Sequence, residues 1–187
     1  TASGSPQLKV NNVNNYDVVN FPASADQFST STNSTLDMAT DGVSIFAVVN
    51  ISNYTLGGNI IAKNQTYDLL NSAPSDVSTP SSFVGITNTF SIVEAVTDKD
   101  ADTGLGGIYV DGLNASNIAF NVGSNNDNNL ILGGDAFSGG IAEIVLIKGE
   151  CNQENRQLVE GYLAHKYATS SLLPNDHPYK NYAPIQQ

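Results

Sequence analysis

Cysteine is nearly missing from this chain of 187 residues: Cys151 stands alone, so no intramolecular disulfide can staple the fold. The lone thiol is silent about compartment, and a catalytic thiol needs a base that the sequence does not set beside it. The simpler reading is a small residue at a strand-to-helix junction. Basic residues are scarce too. Seven Lys and Arg face eighteen Asp and Glu, a formal net charge of −11. A surface of that sign repels phosphate backbones and anionic membrane surfaces, which excludes nucleic acid as a partner and leaves cations and neutral glycans compatible. No apolar run approaches the roughly 18 residues of a membrane span, so membrane insertion is not expected. No secretory leader is visible and the first residue is Thr1, as expected of a processed protein or a domain cut from a larger one.

Catalytic patterns are equally sparse. Retaining glycosidases need two carboxyl groups about 5–5.5 Å apart, which a strand commonly supplies as alternating acids. Here Glu143 has no second acid at i+2 or i+4, and Glu94 and Asp98 lack a third member. The Arg-rich strand and Gln-x-His strand of alginate-lyase-like jelly rolls are missing. Gly104-Leu105-Gly106-Gly107 lacks the Lys and the following helix of a phosphate loop. No internal repeat is present. Five Asn-x-Ser/Thr sequons, at Asn33, Asn50, Asn53, Asn64 and Asn114, are no more than this Asn-, Ser- and Thr-rich composition generates by chance.

What remains is a β-protein. Apolar residues make up 40% of the chain, enough for a core, while charged residues are only 13%, so the surface is built from neutral hydrogen-bonding groups. Runs rich in β-branched and aromatic residues lie at 7–10, 17–21, 43–51, 59–63, 66–70, 82–86, 89–97, 107–110, 117–122, 130–132 and 140–148, separated by Gly, Asn, Asp, Ser or Pro. Residues 1–6 read as a flexible leader, 7–187 as one domain, and 75–82 as a surface loop. Along 89–97, Phe90, Ile92, Glu94 and Val96 share one face, so Glu94 interrupts an apolar row. Asp111-Gly112 between two such runs predicts a tight hairpin with positive φ at the turn. Many short strands and almost no helix predict a sandwich or barrel. The one helix is expected over 153–168, with Asn152 as its N-cap and Leu158, Val159, Tyr162, Leu163 and Tyr167 as its buried stripe. Gly161 weakens its interior by about 1 kcal/mol, which suits a helix backbone lying close against a sheet.

The last third carries a more specific pattern. Gly140, Ile141, Ala142, Glu143 and Ile144 form a strand. Arg156, Val159, Glu160, Gly161, Tyr162, Leu163, Ala164 and Lys166 lie on the helix, and Leu173, Pro174, His177, Pro178 and Tyr179 in an extended tail over 172–187. This order resembles the C-terminal signature of laminin-G-like, concanavalin A-like lectin and glucanase domains. Asn152 and Asn155 replace the Ser and Glu of that signature, which keeps the N-cap and loses the reciprocal capping box. The resemblance implies an all-β jelly-roll sandwich of two antiparallel sheets with one helix packed on it. It also implies that His177 is a structural element of the tail.

Two clusters are candidate sites. Asp98, Asp100 and Asp102 alternate like the opening of a calcium loop, where hard oxygen ligands are needed. Thr103 stands where that loop requires Gly and Tyr109 where it requires Glu, so a solvated hairpin tip with Lys99 as counter-charge is the competing reading. Asn125, Asn126, Asp127, Asn128 and Asn129, with Asp135, offer donors and acceptors suited to glycan hydroxyls, and equally suit a tight loop. The expectation is a non-catalytic carbohydrate-binding or adhesion module at an extracellular or virion surface. The alternatives are a structural module, such as a phage fibre or capsid decoration joined to other protein subunits, and, as a minor one, a polysaccharide-active enzyme.

Overall fold

Strict alternation along 43–51 splits one strand between two cores. Val43, Ile45, Ala47, Val49 and Ile51 point to one side, and Phe46 and Val48 to the other. Both sets are fully buried, which makes this strand the centre of the molecule. The structure is a computed structural model describing residues 1–31, 34–38, 41–52, 58–63, 66–70, 89–97, 106–116 and 126–185. In these residues the strands are β1 (Ala2–Ser3), β2 (Gln7–Val13), β3 (Tyr16–Phe21), β4 (Gln27–Ser29), β5 (Val43–Ile51), β6 (Asn59–Lys63), β7 (Tyr67–Leu70), β8 (Ser91–Val96), β9 (Gly107–Val110), β10 (Leu113–Ser116), β11 (Leu130–Gly133) and β12 (Gly139–Lys148). One α-helix follows, α1 (Gln153–Lys166), and a 3-10 turn, Ser170–Leu172, opens the tail.

Among the described residues all strand pairs are antiparallel. Five strands form one sheet in the order β1-β4-β11-β6-β7, and seven form the other in the order β10-β9-β8-β5-β12-β3-β2. The β5–β12 ladder runs from Gly139 opposite Ile51 to Lys148 opposite Val43, with a bulge at Ala142. The first core fills the space between the sheets and includes Phe21, Ile45, Ile61, Tyr67, Leu69, Val93, Ile108 and Phe137. The second lies on the outer face of the seven-stranded sheet. There Phe46, Val48 and Ile92 meet Cys151 from the β12–helix link and Leu163, Ala164, Tyr167 and Leu173 from the helix and the chain after it. The molecule is thus an all-β sandwich with a helix as a third, partial layer.

Several expectations shift. The leader contributes β1, whose Ala2 pairs with Phe28. The run over 89–97 forms a strand only from Ser91 to Val96, and the helix ends at Lys166, where Tyr167 caps it and Ala168 takes a positive φ of 57°. Asn152 is the N-cap, its side chain accepting from the Asn155 amide at 2.8 Å. At the β9–β10 turn, Asp111 and Gly112 have φ of 50° and 79°, the paired positive values of the expected hairpin. The runs at 82–86 and 117–122, the loop over 75–82, Asp98, Asp100 and Asp102 of the calcium reading, and Asn125 lie outside the described residues.

Candidate functional site

The helix is turned partly inside out. Its inward line is Arg156, Glu160, Leu163, Ala164 and Tyr167, spaced at about one, two and three turns, and all five are buried. Leu158 and Tyr162, expected in the buried stripe, are 45% and 40% exposed. Only Val159, Leu163 and Tyr167 of that stripe pack on the sheet. The reason lies underneath. Glu94 projects from β8 into the same layer and is wholly buried, so the helix must set polar partners over it.

Arg156 supplies the positive charge. Its guanidinium pairs with Glu160 one turn along, approaches Glu94 at 3.8 Å and stacks on the Tyr109 ring at 3.8 Å from its centroid. The tail supplies His177, whose Nε2 lies 2.7 Å from the other Glu160 oxygen. Asp111 closes the cluster from the hairpin turn, accepting from the Ile92 amide at 2.8 Å. Gly112 beside it lets the turn tuck under the tail, since a Cβ there would sit 3.2 Å from Pro174 and 3.4 Å from His177. Burial, then repulsion from Glu160, holds the Glu94 carboxyl well above the usual range. Its neutral form is therefore favoured in this layer. Burial raises Asp111 as well, against the bonds from Ile92 and Ser91. The two glutamates form a close acid pair, but neither is reachable from solvent. His177 is therefore a bonded, buried part of the tail.

Gly161 answers to the tail as well. A Cβ there would collide with the Tyr179 Cβ, so this glycine makes room for Tyr179, where the sequence suggested a sheet. The tail is fastened by His165 Nε2, 2.8 Å from the Tyr179 carbonyl.

On the opposite flank of the helix a second cluster reaches the surface. Lys166 Nζ donates to Glu143 Oε2 at 3.0 Å and to the Tyr162 hydroxyl at 3.0 Å, while the Tyr162 hydroxyl lies 3.5 Å from Glu143 Oε1. The same ammonium sits 5.2 Å, 5.3 Å and 5.4 Å from the ring centroids of Tyr16, Tyr162 and Tyr167. Partial burial works against the charge on Lys166, but Tyr162 and Glu143 outweigh it and hold the ammonium above the usual lysine value. Burial and the nearby Glu143 push the Tyr167 hydroxyl up to about 12. Asn14 Nδ2 donates to the Lys166 carbonyl at 2.7 Å and fixes the β2–β3 turn to the helix end. Tyr16, at the start of β3, is 43% exposed.

The Asn-rich cluster expected from sequence is divided. Asn126 anchors Lys63, accepting from its Nζ at 2.6 Å through the carbonyl, while its side chain accepts from the Asn128 amide at 2.9 Å. Lys63 also pairs with Asp37 at 2.8 Å. Asp127 and Asn129 are exposed. Asp135 belongs to the turn after β11 and accepts from Asn59 Nδ2 at 2.6 Å. Asn59 and Lys63 are the two ends of β6, so a strand's length separates Asp135 from the 126–129 loop. Cys151 is buried, which pushes its thiol up, and its amide donates to Ser44 Oγ. Among the described residues no three His, Cys, Asp or Glu side chains could together hold a metal ion.

No protein-family model and no curated protein matches the chain. Solved structures do share its fold. The binding domain of botulinum neurotoxin DC in complex with rat synaptotagmin II is similar at a TM-score of 0.58 and 13% identity, over 87% of this chain and 46% of that one. The same domain in complex with SialylT gives 0.57 and 14%. Domain 4 of AbnA, a GH43 extracellular arabinanase from Geobacillus stearothermophilus, in complex with arabinotriose, is similar at 0.55 and 13%, over 82% of this chain and 80% of that one. Trypanosoma rangeli sialidase in complex with sialic acid matches at 0.49, and this chain spans only 33% of its length. At these identities the likeness is one of fold: a β-sandwich shared with the toxin's binding domain and the arabinanase domain.

Proposed function

We propose that this chain is a non-catalytic carbohydrate-binding or adhesion module, a jelly-roll sandwich of the laminin-G-like, concanavalin A-like kind, borne on an extracellular or virion-surface protein. The observation that carries the reading is the inverted helix. It buries Arg156 and Glu160 while leaving Leu158, Tyr162 and the neighbouring Tyr16 outside. Apolar and aromatic groups gathered on one face of the helix support a place of contact. Absence of catalysis is part of the same reading. The close acid pair, Glu94 and Glu160, is sealed under the helix, so no glycosidic bond can approach it. The AbnA domain solved with arabinotriose and the toxin domain solved with SialylT lend support by fold analogy.

A glycan array probed with the labelled protein tests the reading, alongside an assay for reducing ends or unsaturated products on β-glucan, alginate and agar. Binding without product release is expected. Release that disappears in Glu94→Gln or Glu143→Gln would make the protein an enzyme instead.

A structural module built into a larger assembly is the second reading, favoured by one feature. β2 is an edge strand of the seven-stranded sheet, and Leu8 and Val10 on it are 65% and 66% exposed. An edge strand that exposes apolar side chains is a template for another chain's strand. Concentration-dependent association that Leu8→Lys abolishes, with a blank array, would favour this reading over the first.

A further inference from the structure

We propose that the surface formed by Leu158, Tyr162 and Tyr16, with Glu143 and Lys166 at its side, binds a pyranose ring of an uncharged glycan. This inference rests on the binding-module reading above and names its site and ligand class.

The elements are set out along the helix. Leu158 and Tyr162 are one turn apart and share a face. Tyr179 of the tail lies over Gly161 on one side of that face, and Tyr16 lies against Lys166 on the other. Beside the rings stands a ready-made polar fork: the Glu143 carboxylate, the Lys166 ammonium and the Tyr162 hydroxyl within 3.0–3.5 Å of one another. A sugar ring has the matching duality. Its axial C–H groups present an apolar face that suits aromatic rings, and its vicinal hydroxyls both donate and accept. The carboxylate can accept from one hydroxyl while the ammonium donates to the next. A purely apolar occupant would cover this ion pair and leave it unhydrated, which is costly.

Charge selects among sugars. Lys166 is already matched by Glu143, so the fork holds no free positive charge for a carboxylate or sulfate, and the net charge of −11 repels anionic polymers at longer range. Preorganisation favours binding as well. The Asn14 bond to the helix end and the Tyr16–Tyr167 ring contact at 5.3 Å hold the platform before any ligand arrives, so little side-chain freedom is lost on association.

The test is a calorimetric titration of wild type, Tyr162→Ala, Glu143→Gln and Leu113→Ala with neutral gluco-, galacto-, manno- and xylo-oligosaccharides, and with a sialylated oligosaccharide. Melting curves and sedimentation are recorded for each variant. Binding of at least one neutral oligosaccharide by wild type is expected, weakened on the order of tenfold by Tyr162→Ala and clearly by Glu143→Gln. Leu113, exposed on the distant edge strand β10, should leave affinity unchanged when replaced. The sialylated ligand should bind no better than its neutral core. Should wild type bind a neutral sugar that Tyr162→Ala and Glu143→Gln bind equally well, this site is wrong and the module reading survives. Should wild type bind none of the neutral sugars, this proposal falls, and the glycan array decides the module reading separately. Self-association abolished by Tyr162→Ala would assign the strip to a second copy of the chain and overturn the proposal.

Discussion

Glu94 is the residue on which the outer layer turns. A carboxyl at the middle of an apolar strand face is costly unless it is neutral or paired, and here burial and the Glu160 charge push its pKa well up while the Arg156 guanidinium stands 3.8 Å away. The sign of the linkage follows. Its proton is bound more tightly in the folded chain than in the unfolded one, so its share of stability is complete below the ordinary glutamate range and is lost as pH rises toward the elevated value. Relative to wild type, Glu94→Gln should therefore lose less stability between pH 5 and pH 8. Urea midpoints for both proteins across that range check it, and parallel curves would show that Glu94 is ionised in place. Arg156 is the other half. Arg156→Ala should lower stability by about 3–5 kcal/mol, the usual consequence of leaving buried acids without their counter-charge, with the Tyr109 stack lost besides.

At the scale of elements, the helix shows what sequence can and cannot say. Its position, N-cap and amphipathic period were readable, because Asn152 and the spacing of Leu163 and Tyr167 are local signals. Its orientation was not. The apolar stripe through Leu158 and Tyr162 competes with a second line through Arg156, Glu160 and Tyr167, and hydrophobicity alone chooses the first. The deciding facts are distant: Glu94 on β8 and His177 in the tail demand partners. The sequence does break the apolar row at Glu94 and does place Arg156 and Glu160 one turn apart, and those two oddities together were the available signal. The candidate site was missed for the same reason, since Tyr16 and Glu143 reach it only through sheet pairing. Leu163→Ala should lower stability by roughly 2–5 kcal/mol, whereas Leu158→Ala should change it by less than about 0.5 kcal/mol. Equal losses in denaturant melts would mean the helix lies the other way round. Gly161→Ala should destabilise by about 1–3 kcal/mol despite the better helix propensity of Ala, because Tyr179 occupies the space. Adding Tyr179→Ala should recover part of that loss in a double-mutant cycle.

At the scale of the whole molecule, the layers divide the labour. The two sheets and the core between them form the scaffold, and the tail and hairpin turn lock the helix over a buried charge cluster. The charges turned inward leave Leu158 and Tyr162 outside, beyond a polar first turn of Gln153, Glu154 and Asn155. Stability and the proposed contact surface are thus two sides of one helix, and the sandwich was foreseeable from strand spacing because alternation is local while the pairing order of its sheets is not. A titration of the isotopically labelled protein with a neutral oligosaccharide, read by amide chemical shifts, tests this division most directly. The account predicts perturbations gathered at residues 14–16, 143 and 158–166, with the amides of β6 and β11 silent. Shifts centred on 126–129 or 135, or none with any neutral glycan, would contradict it.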